Sequence, residues 1–228
     1  MNATLSVDAV VFDAYGTLFD IHAPTANAAA AIGDPAMADT LGKMWRDKQL
    51  QYSWLRAVMG AYTPFWQITQ DALDYCLEAL KLDDPKLRQS LLDLYFRIDA
   101  YPDAIPALQA LKTGRMRTAV LTNGSREMVD AAITSSGAAG YLDDALSVAD
   151  VGIFKPDKRV YQHAVDRLGV AKERMGFVSC NGWDAWAAAD FGFQVVWLNR
   201  FDLPEEKLPG APKRIIPDMT TLPAVYGL

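Results

Sequence analysis

Four short stretches of this 228-residue chain carry the side chains that could act together chemically: Asp13-Ala14-Tyr15-Gly16-Thr17-Leu18, Thr122-Asn123-Gly124-Ser125, Phe154-Lys155-Pro156 and Ser179-Cys180-Asn181-Gly182-Trp183-Asp184. They supply a carboxylate, a hydroxyl beside an amide, a cation, and a polar loop ending in a second carboxylate. Such a set suits attack by an aspartate oxygen on a substrate atom, with lysine offsetting the charge. Taken singly, each has an ordinary structural explanation: an Asp after a strand is commonly a turn or N-cap residue, and a lysine is usually solvated. Other chemistries are poorly supplied. With only two histidines, His22 and His163, a Ser-His-Asp mechanism has little to draw on, and Cys76 and Cys180 form no CxxC pair that would mark a disulfide framework or a thiolate metal site.

The elements that must position these residues are legible from periodicity. Residues 7–12, 116–121, 175–178 and 194–198 are short apolar runs rich in β-branched side chains, as expected of parallel strands buried on both faces. A fifth, weaker run covers 145–148. Helical patterns lie between them, including 125–135 with Ser125 as the N-cap and 183–190 behind a Gly-containing turn. The β-α-β alternation predicts an α/β fold with a doubly wound parallel sheet. In such sheets ligands bind beyond the carboxyl ends of the strands, which is where the four motifs fall.

Between Asp20 and Tyr101 the strand pattern disappears and helical spacing takes over, which predicts a helical cap inserted into the sheet domain. The domain expectation is a core of residues 1–20 and 101–228 with a cap of 21–100. The longest cap helix is expected over 39–59, with Leu41, Met44, Trp45, Tyr52, Leu55 and Met59 on its packed stripe and Arg46, Leu50, Trp54 and Ala57 on a second flank. A net charge of −6 with dispersed Lys and Arg gives no footprint for nucleic acid. No apolar run is long enough to span a bilayer, and the N-terminus does not read as a signal peptide, so a cytoplasmic enzyme without a membrane partner is expected.

With their order and spacing, these motifs resemble those of the haloacid dehalogenase superfamily over nearly the whole chain, and two details are similar to its L-2-haloacid dehalogenase branch. Tyr15 stands where the superfamily's phosphatases carry a second Asp as general acid, and 44–56 resembles the cap helix that bears the branch's substrate arginine. Asn181 replaces a carboxylate that would often bind magnesium. The resemblance implies hydrolytic dehalogenation of short L-2-haloacids to D-2-hydroxyacids through an ester on Asp13, without metal or cofactor, in a homodimer. It implies a catalytic set of Asp13, Thr17, Arg46, Thr122, Lys155, Tyr161, Ser179, Asn181 and Asp184. Tyr15, Leu50, Phe65 and Trp183 would form the apolar wall, with Arg46 and Asn123 around the halide.

The substitutions have a physical reading too. Phosphoryl transfer calls for a cation, carboxylates to hold it and an acid for the leaving oxygen, whereas halide departs as an anion and needs no proton. The competing readings are a magnesium-dependent phosphatase of the same superfamily acting on a small phosphorylated metabolite, and a phospho-accepting receiver module, which is usually about half this length. One departure from the branch is Asp47, beside Arg46 where an uncharged residue is common; pointing inward, it would repel the substrate carboxylate.

Overall fold

The computed structural model describes residues 3–82 and 84–228. Six parallel strands form one sheet in the order β3-β2-β1-β4-β5-β6. They are β1 (Ala9–Phe12), β2 (Arg117–Thr122), β3 (Asp144–Ser147), β4 (Met175–Ser179), β5 (Gln194–Leu198) and β6 (Arg214–Ile216). Every residue of β1 and β4 is buried, as strands covered by helices on both faces must be. The strand order reverses between β1 and β4, so the crevice beyond their carboxyl ends is the sheet's switch point.

Five helices lie between β1 and the return to the sheet: α1 (Ala23–Asn27), α2 (Ala29–Ile32), α3 (Pro35–Met59), α4 (Phe65–Leu80) and α5 (Pro85–Phe96). Their ends follow local chemistry. Asp34 and Asp84 precede a proline and accept a hydrogen bond from the backbone N–H two residues on, at 3.0 and 2.8 Å, and α3 stops at Gly60 in the left-handed region. After α6 (Ala104–Thr113) the chain alternates strand and helix through α7 (Arg126–Ser135), α8 (Lys158–Leu168) and α9 (Gly182–Phe191), closing with α10 (Leu222–Val225). The chain leaves and re-enters the sheet region at one place, where Asp20 N–H donates to Asp99 at 2.8 Å and Tyr101 N–H to Leu18 at 2.9 Å.

Several expectations from periodicity need correction. The strand β6 carried no sequence signal, being three residues long with one exposed apolar side chain, Ile215. Met116 does not begin β2, because its N–H closes the end of α6 on Leu111 O at 2.9 Å. Strand β3 ends one residue early, at Ser147, whose Oγ accepts from Ala149 N–H and starts a 3-10 turn over Val148–Asp150. Ser125 occupies the N-cap position of α7 but its hydroxyl makes no cap bond. The stripe expected on α3 fails beyond Trp45: Leu55 and Met59 are 51% and 74% exposed, while Gln49 and Ser53 take the inward face. Polar side chains can occupy that face because each finds a partner there, Gln49 on Thr69 and Tyr95, Ser53 on the Leu50 carbonyl.

Candidate active site

Asp13 follows β1 directly, its N–H bonded to Val178 O of β4 at 2.9 Å, which sets it in the switch-point crevice. Its Oδ1 accepts from Lys155 Nζ at 3.0 Å, and its Oδ2 accepts from Thr17 Oγ1 at 2.9 Å and Asn181 Nδ2 at 2.8 Å. Thr17 is fixed in turn by Cys180 N–H at 2.8 Å, so the first and fourth motifs are bonded together beside Asp13. Gly16, at φ 91°, gives the turn the left-handed residue it needs to bring Thr17 back onto Asp13.

Lys155 is fully buried and also reaches Asp184 Oδ2 at 2.8 Å. Burial alone would push the lysine's pKa down, but the Asp13 and Asp184 carboxylates outweigh it and hold the ammonium above its ordinary range. Asp184, with no exposed surface, is pushed up by burial despite the lysine beside it. Both of its oxygens are hydrogen-bonded: Tyr161 OH donates to Oδ1 at 2.7 Å, and Ser179 Oγ shares Oδ2 with the lysine at 3.2 Å. The amide of Asn123 accepts from Lys155 N–H at 2.9 Å, which fixes the lysine's backbone and leaves the Asn123 nitrogen to donate elsewhere.

Arg46 comes down from α3 and its Nη2 reaches Asn181 Oδ1 at 3.3 Å and Tyr15 O at 3.5 Å. Among the described residues it lies within salt-bridge distance of no carboxylate, so a half-buried cation stands at the mouth of the site with its charge uncompensated. Tyr15 is 4% exposed, stacked on Tyr95 with centroids 5.8 Å apart and planes at 7°. Any side chain at Gly124 would meet the Tyr15 ring, at 2.8 Å from a Cβ, so the glycine admits the ring against the second motif. Burial holds the Tyr15 phenol far above its usual pKa, a poor proton donor for a leaving oxygen.

The structure thus gathers Asp13, Thr17, Lys155, Asn181, Asp184, Ser179, Tyr161 and Arg46 in one hydrogen-bonded cluster. The roles expected from sequence divide more finely. Thr17 orients Asp13, whereas Ser179 and Tyr161 hold Asp184, and Thr122 Oγ1 accepts Gly124 N–H at 3.0 Å within its own loop. Phe65 packs edge-on against Phe154, the residue before Lys155. Trp183 meets Trp54 of α3 at 5.4 Å, and Leu50 lies half-buried on the same flank between Arg46 and Trp54. Asp47, the departure noted beside Arg46, is exposed. Sequence reasoning missed Tyr95 and Gln49, whose places behind Tyr15 and Arg46 follow from how α5 and α3 pack. Among the described residues no group of three or more His, Cys, Asp or Glu side chains gathers as a metal site.

Comparison with known proteins agrees with this geometry. The family model for haloacid dehalogenase-like hydrolases matches residues 7–192. The chain is 45% identical over 201 residues to an (S)-2-haloacid dehalogenase of Pseudomonas sp. strain CBS-3, covering 88% of each, and 35% identical to a haloacetate dehalogenase of Moraxella sp. strain B, covering 95% of this chain and 96% of that protein. It also superposes on the L-2-haloacid dehalogenase of Xanthobacter autotrophicus with chloropropionic acid covalently bound, at a TM-score of 0.87 and 34% identity, covering 97% and 99% of the two chains. With the family model matching well over half its length, the chain belongs to the haloacid dehalogenase-like hydrolases.

Proposed function

We propose that this hydrolase converts short (S)-2-haloacids to (R)-2-hydroxyacids and halide, with Asp13 as nucleophile. The observation that carries the reading is the pairing of Asp13 with three donors, Lys155, Thr17 and Asn181, beside a phenol too buried to act as an acid. A carboxylate oxygen of Asp13 attacks C2 behind the carbon-halogen bond, forming an ester with inversion while the bonding pair leaves with the halide. Four formal charges surround the reacting atoms, Lys155 and Arg46 against Asp13 and Asp184, and they sum to zero before substrate binds. Arg46 is the cation left for an anion, because the Lys155 charge is already shared by two carboxylates.

Water then attacks the ester carbonyl of Asp13, and the donors that held its carboxylate are placed to stabilise the oxyanion that forms there. Asp184, which burial makes more basic than an exposed carboxylate, accepts the proton of that water; collapse of the oxyanion breaks the bond between the Asp13 carbonyl carbon and the ester oxygen, and the departing hydroxyacid oxygen takes that proton. Asn181 in place of a carboxylate puts an N–H donor on Asp13 Oδ2, a group that suits an anionic ester mechanism and cannot ligate a cation through its nitrogen. No metal or cofactor enters the scheme.

The same reading includes a cap of residues 21–100 on a core of 1–20 and 101–228, with Met1, Asn2 and Asp83 of those spans outside the described residues. Support comes from the paired crossings at Asp20–Asp99 and Leu18–Tyr101. It includes a cytoplasmic homodimer joined through the cap, where Leu55, Val58 and Met59 leave apolar surface exposed at the end of α3. No helix among the described residues is long and apolar enough to cross a membrane.

The decisive experiment is one turnover of (S)-2-chloropropionate in oxygen-18 water with enzyme in excess. The first-formed lactate is expected to carry unlabelled oxygen from Asp13 and to be the (R) enantiomer. Fully labelled lactate would overturn the ester, and phosphate release from phosphomonoesters in magnesium without any halide release in EDTA would favour the phosphatase.

A further inference from the structure

The turn that follows Asp13 is held from its far side by a residue the chemistry above does not use. Thr17 is fully buried and its hydroxyl has a defined direction: Oγ1 accepts from Cys180 N–H at 2.8 Å and gives its proton to Asp13 Oδ2 at 2.9 Å. A threonine hydroxyl follows its backbone closely, because branching at Cβ leaves χ1 few choices. The place of the Thr17 backbone therefore sets the place of one Asp13 oxygen. Bonds within the turn hold that backbone weakly. The N–H groups of Thr17, Leu18 and Phe19 converge on the single carbonyl of Ala14, and the Thr17 bond is the longest of them at 3.2 Å.

The Thr17 carbonyl is a buried acceptor, and such a group needs a donor. Among the described residues no backbone N–H bonds to it, and the donor it has is Arg200 Nη2 at 3.2 Å. Arg200 lies just beyond the end of β5 and is itself aimed by its surroundings. Asp103 accepts from its Nη1 and Nη2 at 2.7 and 2.8 Å and is anchored in turn by Met219 N–H at 2.8 Å, while the guanidinium carbon lies 4.3 Å from the centroid of the Tyr101 ring. A planar fork held along one edge and on one face presents its remaining N–H in a fixed direction. Tyr101 N–H takes the next carbonyl of the turn, that of Leu18, at 2.9 Å. Successive carbonyls behind Asp13 are thus held by Arg200 and by the segment that aims it.

We propose that Arg200 is a positioning residue for the nucleophile, holding the Thr17 carbonyl so that the Thr17 hydroxyl keeps the Asp13 carboxylate in its attacking orientation. This rests on the dehalogenase reading. Displacement at carbon needs the attacking oxygen in line behind the departing halide, so a carboxylate free to rotate raises the barrier to ester formation. Arg46, the cation that meets the substrate anion, bonds to neither Thr17 nor Arg200, so substrate binding does not depend on this contact. The loss of Arg200 should therefore fall on kcat.

The test separates this role from that of a structural ion pair. Arg200→Met removes the donor and strands the Asp103 charge, whereas Arg200→Met with Asp103→Asn removes donor and charge together. Halide release from (S)-2-chloropropionate and thermal unfolding are measured for both. The double variant is expected to recover most of the unfolding temperature that the single loses. Its kcat is nevertheless expected to stay about tenfold below wild type, with KM within about twofold. Arg200→Gln, too short to reach Thr17 from Asp103, serves as a second route and is expected to show the same loss of kcat. Adding the double change to Thr17→Val, where the hydroxyl is already gone, is expected to lower kcat by less than about twofold more. Turnover that recovers with stability, a loss confined to KM, or losses that multiply in the Thr17→Val background would each overturn the positioning role. Absence of halide release by the wild-type protein would instead overturn the dehalogenase reading itself.

Discussion

The two faces of the site hold their cations in opposite ways. On the core side Lys155 is sealed from water and bonded to two carboxylates at 3.0 and 2.8 Å. On the cap side Arg46 is half-buried, meets only neutral oxygens, and meets them at long distance. A charge buried without compensation is costly, so the lysine requires its partners simply for the domain to fold around it. The arginine, still partly solvated, pays little for its unpaired charge and keeps it for an anion. The sheet side is thus a closed electrostatic frame, while α3 contributes a cation that no carboxylate among the described residues holds.

Breaking the core side has the largest expected consequence. Lys155→Met leaves Asp13 and Asp184 facing each other in a buried cleft, with an expected loss of about 3–5 kcal/mol of stability at pH 7 and of all turnover. Burial and the Asp13 charge, no longer offset by the lysine, would raise the folded-state pKa of Asp184 further, so the variant binds a proton more readily folded than unfolded. It should then gain stability as pH falls from 7 to 5, which urea unfolding at the two pH values would show. The wild-type lysine behaves oppositely. Its folded pKa is raised, so its contribution is complete below the unfolded value and is lost only as pH climbs through the folded one. A variant as stable as wild type at pH 7 would mean that the ion pairs do not govern this cleft.

The same contrast explains what could be read from sequence. Asp13, Asn181 and Asp184 follow an apolar strand or open a helix in a fixed local pattern, and Lys155 stands before a proline in the loop ahead of α8, so their types and order were visible without knowing the packing. Strand β5 matched its apolar run at both ends for the same reason. The cap's inward face was not visible, since Gln49 and Ser53 look like solvent-facing residues until Thr69, Tyr95 and the Leu50 carbonyl are brought beside them by tertiary packing. Ser179 and Tyr161 were recognised as site residues, but which carboxylate they serve depends on sub-ångström geometry. Asp47 lies one residue from Arg46, and only the rotation of α3 decides that it faces water.

Between the two faces stands a clasp, and weakening it would sharpen the comparison. Arg200 donates through both terminal nitrogens to Asp103, at 2.7 and 2.8 Å, and its Nη2 also reaches Thr17 O at 3.2 Å while the guanidinium lies over the Tyr101 ring at 4.3 Å. The pair joins the end of β5 to the segment where the cap returns and to the nucleophile turn. Burial alone would raise the Asp103 pKa, but the Arg200 guanidinium and the Met219 N–H at 2.8 Å bring it below the usual range. Its stabilising effect is therefore full above the usual carboxylate range and lost as pH falls through the folded value. Asp103→Asn is expected to cost about 1–2 kcal/mol at neutral pH, with the gap from wild type closing as pH falls below the usual carboxylate range. A gap independent of pH would show that the charge of Asp103 contributes nothing.

The smallest effect is expected on the outer side of the cap. Asp47 carries the charge that would most damage anion binding were it turned inward, yet it is exposed while its neighbour Arg46 reaches the core. A solvated like charge about one Debye length away, roughly 8 Å, repels the substrate by no more than about 0.5 kcal/mol, or about twofold in binding. Asp47→Gln should therefore change KM for (S)-2-chloropropionate by no more than about twofold at physiological ionic strength, and by slightly more at low salt. A tenfold fall in KM that salt did not abolish would place the carboxylate in the pocket, and with it would go the claim that the cap offers the substrate one unopposed positive charge.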